Sequence, residues 1–126
     1  MKNRIQVWAD GAPHEICVII GEDEPIVRRE DFDTNNIGEY QSLITALESI
    51  KSYEKYIIYM DSQLVVYQMD GRYKTKQRHL KLLKIECQNI IKERGLDVII
   101  TWIPRELNLA GKYLERQKKD KAHRSK

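Results

Sequence analysis

"KYIIYMDSQLVV", residues 55–66, changes character at Asp61. The first six residues form an apolar run of β-branched and aromatic side chains, which predicts a strand apolar enough to be buried on both faces. From Ser62, which can cap a helix, "QLVVYQMD" reads as a short helix that stops at Gly71. A buried strand feeding a helix is the building unit of a parallel α/β sheet, whose strands open at their carboxyl ends into a shared crevice. Asp61 therefore stands where such a crevice would open.

Working outward toward the N-terminus, "TNNIGEYQSLITALESIKS" places Tyr40, Leu43, Leu47 and Ile50 three or four apart, the period of an amphipathic helix capped at Thr34 or Asn35. Before it, "RIQVWA", "EICVIIG" and "PIVRRE" read as three strands of an antiparallel meander. In the other direction, "TKQRHLKLLKIECQNIIKERG" predicts a long helix with Leu80, Leu83, Cys87 and Ile90 on one face and Gly95 just past its end. "LDVIITWI" is a last strand closed by Pro104, and "NLAGKYLERQKK" a final helix. The expected fold is α/β: a five-stranded mixed sheet, three strands antiparallel and then parallel, with helices on both faces. Residues 1–115 form one domain, and the basic stretch 116–126 is expected to be a disordered tail.

The 126 residues, 41% of them hydrophobic, suffice for one core and not for two. No run approaches the roughly 18 apolar residues of a membrane helix, and "MKNRIQVW" lacks a secretory apolar segment, so a cytoplasmic protein is expected. Cys17 and Cys87 show neither zinc spacing nor a disulfide pattern and read as buried thiols. His14, His79 and His123 read as surface residues. The net charge of +3 is unevenly spread: "RYKTKQRHLKLLK" (72–84) holds six cations and no acid, and the stretch after Arg116 holds Asp120 as its lone acid. Two such runs in a small domain point to a polyanionic partner.

Three acids occupy informative positions. Asp10 ends the first strand in "WADGAP", Glu39 lies in the opening turns of the first helix, and Asp61 ends the fourth strand. Separately, each fits an ordinary turn or a helix-dipole role. If the first and fourth strands are neighbours, the three converge, and converging carboxylates call for hard cations such as Mg²⁺ or Mn²⁺.

In order, "WADGAP", "TNNIGEYQSLITALE", "YMDSQLVV" and "VIITWIPRELN" follow the motifs of ribonuclease H type 1, and the chain resembles that family over nearly its whole length. The resemblance implies a metal-dependent endonuclease that cuts the RNA strand of RNA/DNA hybrids and leaves 5′-phosphate ends. It implies two Mg²⁺ or Mn²⁺ ions held by Asp10, Glu39 and Asp61, one activating water and the other stabilising the leaving oxygen. Asn36 and Gln63 would meet the minor groove of the hybrid, and Arg72, Lys74 and Lys76 its phosphates. The passage from "DGRYKTK" straight into the long helix resembles the compact members that lack a basic protrusion. Nothing demands more than a monomer or an obligate protein partner.

One position departs from the pattern. The family's fourth carboxylate lies four residues after an asparagine, and counting from Asn108 reaches Lys112. Three readings stay open: the site tolerates the loss; Glu115, one turn further on, substitutes; or the Lys112 ammonium sits beside Asp10 as a fixed cation, leaving a catalytically impaired hybrid-binding module.

Overall fold

The computed structural model describes residues 3–124, with side chains described through Ala122. The elements run in the order β1 (Ile5–Gly11), β2 (Glu15–Ile20), β3 (Ile26–Arg29), α1 (Asn35–Ser49), β4 (Lys55–Met60), α2 (Gln63–Met69), α3 (Arg78–Arg94), β5 (Asp97–Trp102), a single 3₁₀ turn (Arg105–Leu107) and α4 (Leu109–Arg124). The five strands form one sheet in the order β3-β2-β1-β4-β5. Pairing is antiparallel between β1 and β2 and between β2 and β3, and parallel between β1 and β4 and between β4 and β5. The mixed sheet is therefore as expected, and β1 and β4 are neighbours at its centre.

Alternation along β1 assigns its side chains to two cores. Val7 and Ala9 join Tyr40, Leu43 and Leu47 of α1, Ile58 and Met60 of β4, Val65 of α2, and Leu80 and Cys87 of α3 in the larger core. Trp8 faces the other way, toward a smaller core of Cys17, Ala110 and Leu114. The helix-period residues named above explain why α1 is the central helix: Tyr40, Leu43 and Leu47 are fully buried and Ile50 nearly so. Arg94 at the end of α3 donates to the carbonyl oxygens of Leu47 and Ile50, satisfying orphan acceptors at the end of α1.

Caps set the element boundaries. Thr34 Oγ1 accepts from Ile37 N and starts α1; Ser62 Oγ accepts from Val65 N and starts α2. Gly95 ends α3 in the left-handed region, φ 60°, where a side chain would be strained.

Two expectations need correction. β4 is buried on one face only: Tyr56, Ile58 and Met60 are buried, whereas Ile57 and Tyr59 are partly covered, because α4 packs on β1 and β2. The stretch from Arg116, expected to be disordered, continues α4 through Arg124; residues 125–126 lie outside the described residues. Among the described residues no helix is long and apolar enough to cross a membrane. Both cysteines are buried and free, and His14 and His79 are exposed; the side chain of His123 lies outside the described residues.

Candidate active site

β1 and β4 run parallel in register, Trp8 opposite Tyr59, so their carboxyl ends leave the sheet side by side and carry Asp10 and Asp61 to the same level. Glu39 arrives from α1 by an unusually close backbone approach. A Cβ on Gly11 would overlap the carbonyl of Gly38, and a Cβ on Gly38 would overlap the backbone of Ala12. Only glycine at both positions lets β1 touch the first turns of α1. That contact allows the Gly11 N–H to donate to Glu39 Oε1, which fixes the carboxylate beside Asp10.

One carboxylate oxygen from each of Asp10, Glu39 and Asp61 lies within 4.8 Å of the others. Asp10 and Glu39 are only 5% and 7% exposed, so their charge is poorly solvated. Burial, then repulsion from Asp61, pushes the Asp10 carboxyl up to about 7, against the pull of Arg105. Burial and the charge of Asp10 raise Glu39 well above the ordinary carboxylate range, opposed by the Gly11 bond. Asp61 is anchored rather than buried: Asn108 Nδ2 donates to its Oδ2 at 2.9 Å, and Trp102 Nε1 donates to its carbonyl at 3.1 Å. A cluster of this kind strongly favours a cation or protons between its oxygens. The donor set is all hard oxygen, and among the described residues no histidine lines the cavity, which suits a hard divalent cation over softer metals.

The acids line a polar cleft of about 420 Å³. Its walls include Glu15, Asn35, Ser62 and Arg105, together with Gly111, Leu114, Glu115 and Lys118 of α4. Arg105 Nη2 lies 3.3 Å from Glu115 Oε1, and Lys118 Nζ lies 3.8 Å from Glu15 Oε2. Both lips of the cleft thus carry paired charges of opposite sign.

A family model described as reverse transcriptase-like matches residues 26–115. The chain belongs to the reverse transcriptase-like family. Its fold is that of ribonuclease H1. The crystal structure of LC11-RNase H1 in complex with RNA/DNA hybrid is 29% identical, with a TM-score of 0.76 over 84% of this chain and 89% of that one. RNase H1 from the halophilic archaeon Halobacterium salinarum is 25% identical, with a TM-score of 0.77 over 89% and 94%. Among curated proteins, the bifunctional protein Rv2228c of Mycobacterium tuberculosis is 34% identical over 95 residues, 73% of this chain. The chain spans about a quarter of that relative's length, the covered share being 26%. The reverse transcriptase-like match includes Glu39 and Asp61 and begins after Asp10; the sheet itself brings Asp10 to them.

The other residues singled out in this reverse transcriptase-like chain separate into groups. Asn36, Lys74 and Lys76 line one groove with Gln68, Gln77 and Leu80, between the start of α1 and the segment before α3. In that segment Thr75 is buried, and its Oγ1 has no hydrogen-bond partner. Gln63 is exposed at the start of α2, next to the cleft residue Ser62. Arg72 differs: it is paired with Asp70 at 3.1 Å and stacked over the Tyr67 ring at 4.7 Å, outside the groove. Lys112 is exposed and does not line the cleft, whereas Glu115 does.

Sequence reasoning missed two residues of the site. Arg105 follows Pro104 in a single 3₁₀ turn that left no periodic signal. Asn108 served only as an origin for counting, yet it is fully buried and donates to Ala9 O and to Asp61, while its Oδ1 accepts from Ala110 N at the start of α4. Its position before an apolar helical pattern signalled a cap; nothing local signalled the reach to Asp61.

Proposed function

We propose that the chain is a metal-dependent endonuclease that hydrolyses the RNA strand of RNA/DNA hybrids, leaving 5′-phosphate and 3′-hydroxyl ends. The observation that carries this reading is the convergence of Asp10, Glu39 and Asp61, two of them buried with raised pKa values, at the floor of an open polar cleft. Support also comes from the similar LC11-RNase H1, whose structure is a complex with an RNA/DNA hybrid.

In this reading Asp10, Glu39 and Asp61 hold two Mg²⁺ or Mn²⁺ ions. Bound there, the ions supply Lewis acidity toward a phosphate and lower the pKa of water at the site. The chain's own residues do the rest. The Gly11 N–H and Asn108 keep Glu39 and Asp61 aimed inward before substrate arrives, so little reorganisation is needed. Arg105, at the mouth of the cleft, offers a guanidinium to the charge that builds on the phosphate oxygens. Asn36 and Gln63 contact the minor groove, where a hybrid displays 2′-hydroxyls and base edges. Lys74 and Lys76, flanking the unpartnered Thr75 hydroxyl, take a backbone phosphate in the groove beside α1. Arg72, already paired with Asp70, orders this segment and adds to the positive field rather than gripping a phosphate alone.

The alternative of a hybrid-binding module without turnover depends on a Lys112 ammonium beside Asp10, and Lys112 stands exposed outside the cleft. Cleavage of a 5′-labelled RNA strand in a hybrid, with Mg²⁺ and separately with Mn²⁺, tests the proposal. The native chain is expected to cut and Asp61→Asn to leave the RNA intact while still binding it. A native chain that binds the hybrid but cuts with neither ion would overturn it.

A further inference from the structure

α4 crosses the outer face of the sheet over β1 and β2, and beside it the outer residues of β4 and β5 are incompletely covered. There Trp8 of β1 and Tyr59 of β4, opposite each other in the ladder, meet obliquely with ring centroids 5.8 Å apart. The Gln6 side chain donates to the Tyr59 hydroxyl and holds that ring in place. Ile57 and its ladder partner Ile99 on β5, 45% exposed, continue the apolar surface. Trp8, Ile57 and Tyr59 border a shallow depression of about 820 Å³, closed on the helix side by Leu109 at the start of α4. This face is separate from the cleft: Leu109 lines the depression, whereas Gly111 lines the cleft.

Cations gather on the same side of α4. Residues three and seven positions after Leu109 share its side of the helix, and they are Lys112 and Arg116. Both are exposed, and neither forms an ion pair among the described residues, whereas Arg105 and Lys118 at the cleft are paired with Glu115 and Glu15. The far rim of the depression carries Arg4, engaged with Asp97, and a single acid, Glu22.

We propose that this face is a second nucleic-acid surface, which holds a single strand with its bases against Trp8 and Tyr59 and its phosphates against Lys112 and Arg116. Aromatic rings bordered by cations suit unpaired bases, because every base offers a π-face whatever the sequence, while a duplex keeps its bases stacked inside. An apolar protein partner would cover the rings and leave the two cations without anions. Trp8 and Tyr59 precede Asp10 and Asp61 by two residues, so the platform begins about 7 Å along each strand from the acids. That is near enough to take a single-stranded stretch beside a duplex in the cleft. Binding here needs no cleavage, so it stands or falls separately from the nuclease reading.

Fluorescence anisotropy of a labelled, mixed-sequence strand of about 12 nucleotides, as RNA and as DNA, tests this with the full chain in EDTA. Native protein, Tyr59→Leu, Lys112→Gln and Lys76→Ala are compared; Lys112 is exposed, so its substitution leaves the core untouched. The native chain is expected to bind the strand in both forms, since stacking and phosphate contacts do not require a 2′-hydroxyl. Tyr59→Leu should weaken binding about fivefold or more, and Lys112→Gln about threefold, with the slope of log affinity against log salt reduced by about 0.7. Lys76→Ala, in the groove beside α1, should change it by less than about twofold. A native chain that binds neither strand overturns the proposal, as does an equal loss in Lys76→Ala, which would put the strand in that groove. Strand binding unchanged in Tyr59→Leu overturns it too, and sedimentation showing a native dimer that this variant dissociates would then give the face to a second copy of the chain.

Discussion

Replacing Asp10 with Asn should stabilise the protein in the absence of divalent metal, and by an amount set by pH. Folding buries Asp10 to 5% exposure beside Asp61 and moves its pKa from 3.8 to about 7. Because the folded-state value lies above the unfolded one, folding favours the protonated form. The associated stability is fully present below about pH 4 and is lost as the pH rises through about 7. At 1.36 kcal/mol per pKa unit, this mismatch costs the fold about 2 kcal/mol at pH 5.5, where folding must protonate Asp10, and about 4 kcal/mol at pH 8, where the buried carboxylate stays ionised. An asparagine carries no charge to desolvate and fills nearly the same volume. Urea unfolding in EDTA at pH 4, 5.5 and 8 should therefore show Asp10→Asn gaining on the native chain as the pH rises, with little difference at pH 4. Adding Mg²⁺ should raise the stability of the native chain at pH 8 and leave that of the variant nearly unchanged, because bound ligand stabilises only the state that binds it. A difference that does not vary with pH, or a native chain at least as stable as the variant at pH 8 without metal, would refute the account of Asp10 as a strained, cation-seeking carboxylate.

Gly38→Ala should cost about 3 kcal/mol or more in urea unfolding, because its Cβ would overlap the backbone of Ala12, and the separation of α1 from β1 should also abolish cleavage. Asn108→Ala should lower stability by about 2 to 4 kcal/mol through loss of the α4 cap and the buried bond to Ala9 O, and should reduce kcat by releasing Asp61; thermal unfolding and steady-state cleavage check the two effects separately. Lys74→Ala and Lys76→Ala should each weaken hybrid binding and flatten the slope of log affinity against log salt by about one, with kcat unchanged; an unaltered slope would remove that lysine from the phosphate contacts.

Much of the scaffold was legible because its signals are local. The switch from alternation in β1 and β2 to the spacing of Tyr40, Leu43, Leu47 and Ile50 marks where strands give way to a helix. Thr34 and Ser62 mark the helix starts through bonds that span three residues. The sites of Asp10 and Asp61 at strand ends follow from the same patterns. Less legible was how each element is covered. β4 has the composition of a strand buried on both faces, but α4 covers β1 and β2 instead, a choice made by Cys17, Ala110 and Leu114 in the smaller core. The basic composition after Arg116 hid a helix whose Lys118 reaches back to Glu15.

Composition and periodicity by themselves determined the elements, their order and the acids available at their ends. The three-dimensional structure decided which of those acids face one another. Glu39 joins the site through the paired glycines at 11 and 38, two residues that carry no chemistry of their own and lie far apart in the chain. On α4 the decision turns on rotation about the helix axis, about 100° per residue. Counting from Asn108 selects Lys112, but the packing of Ala110 and Leu114 against the sheet sets Gly111 against Asp10, places Glu115 on the cleft wall and leaves Lys112 in solvent. Local sequence sets which residues share a helix face; only packing against the sheet sets which face meets the site.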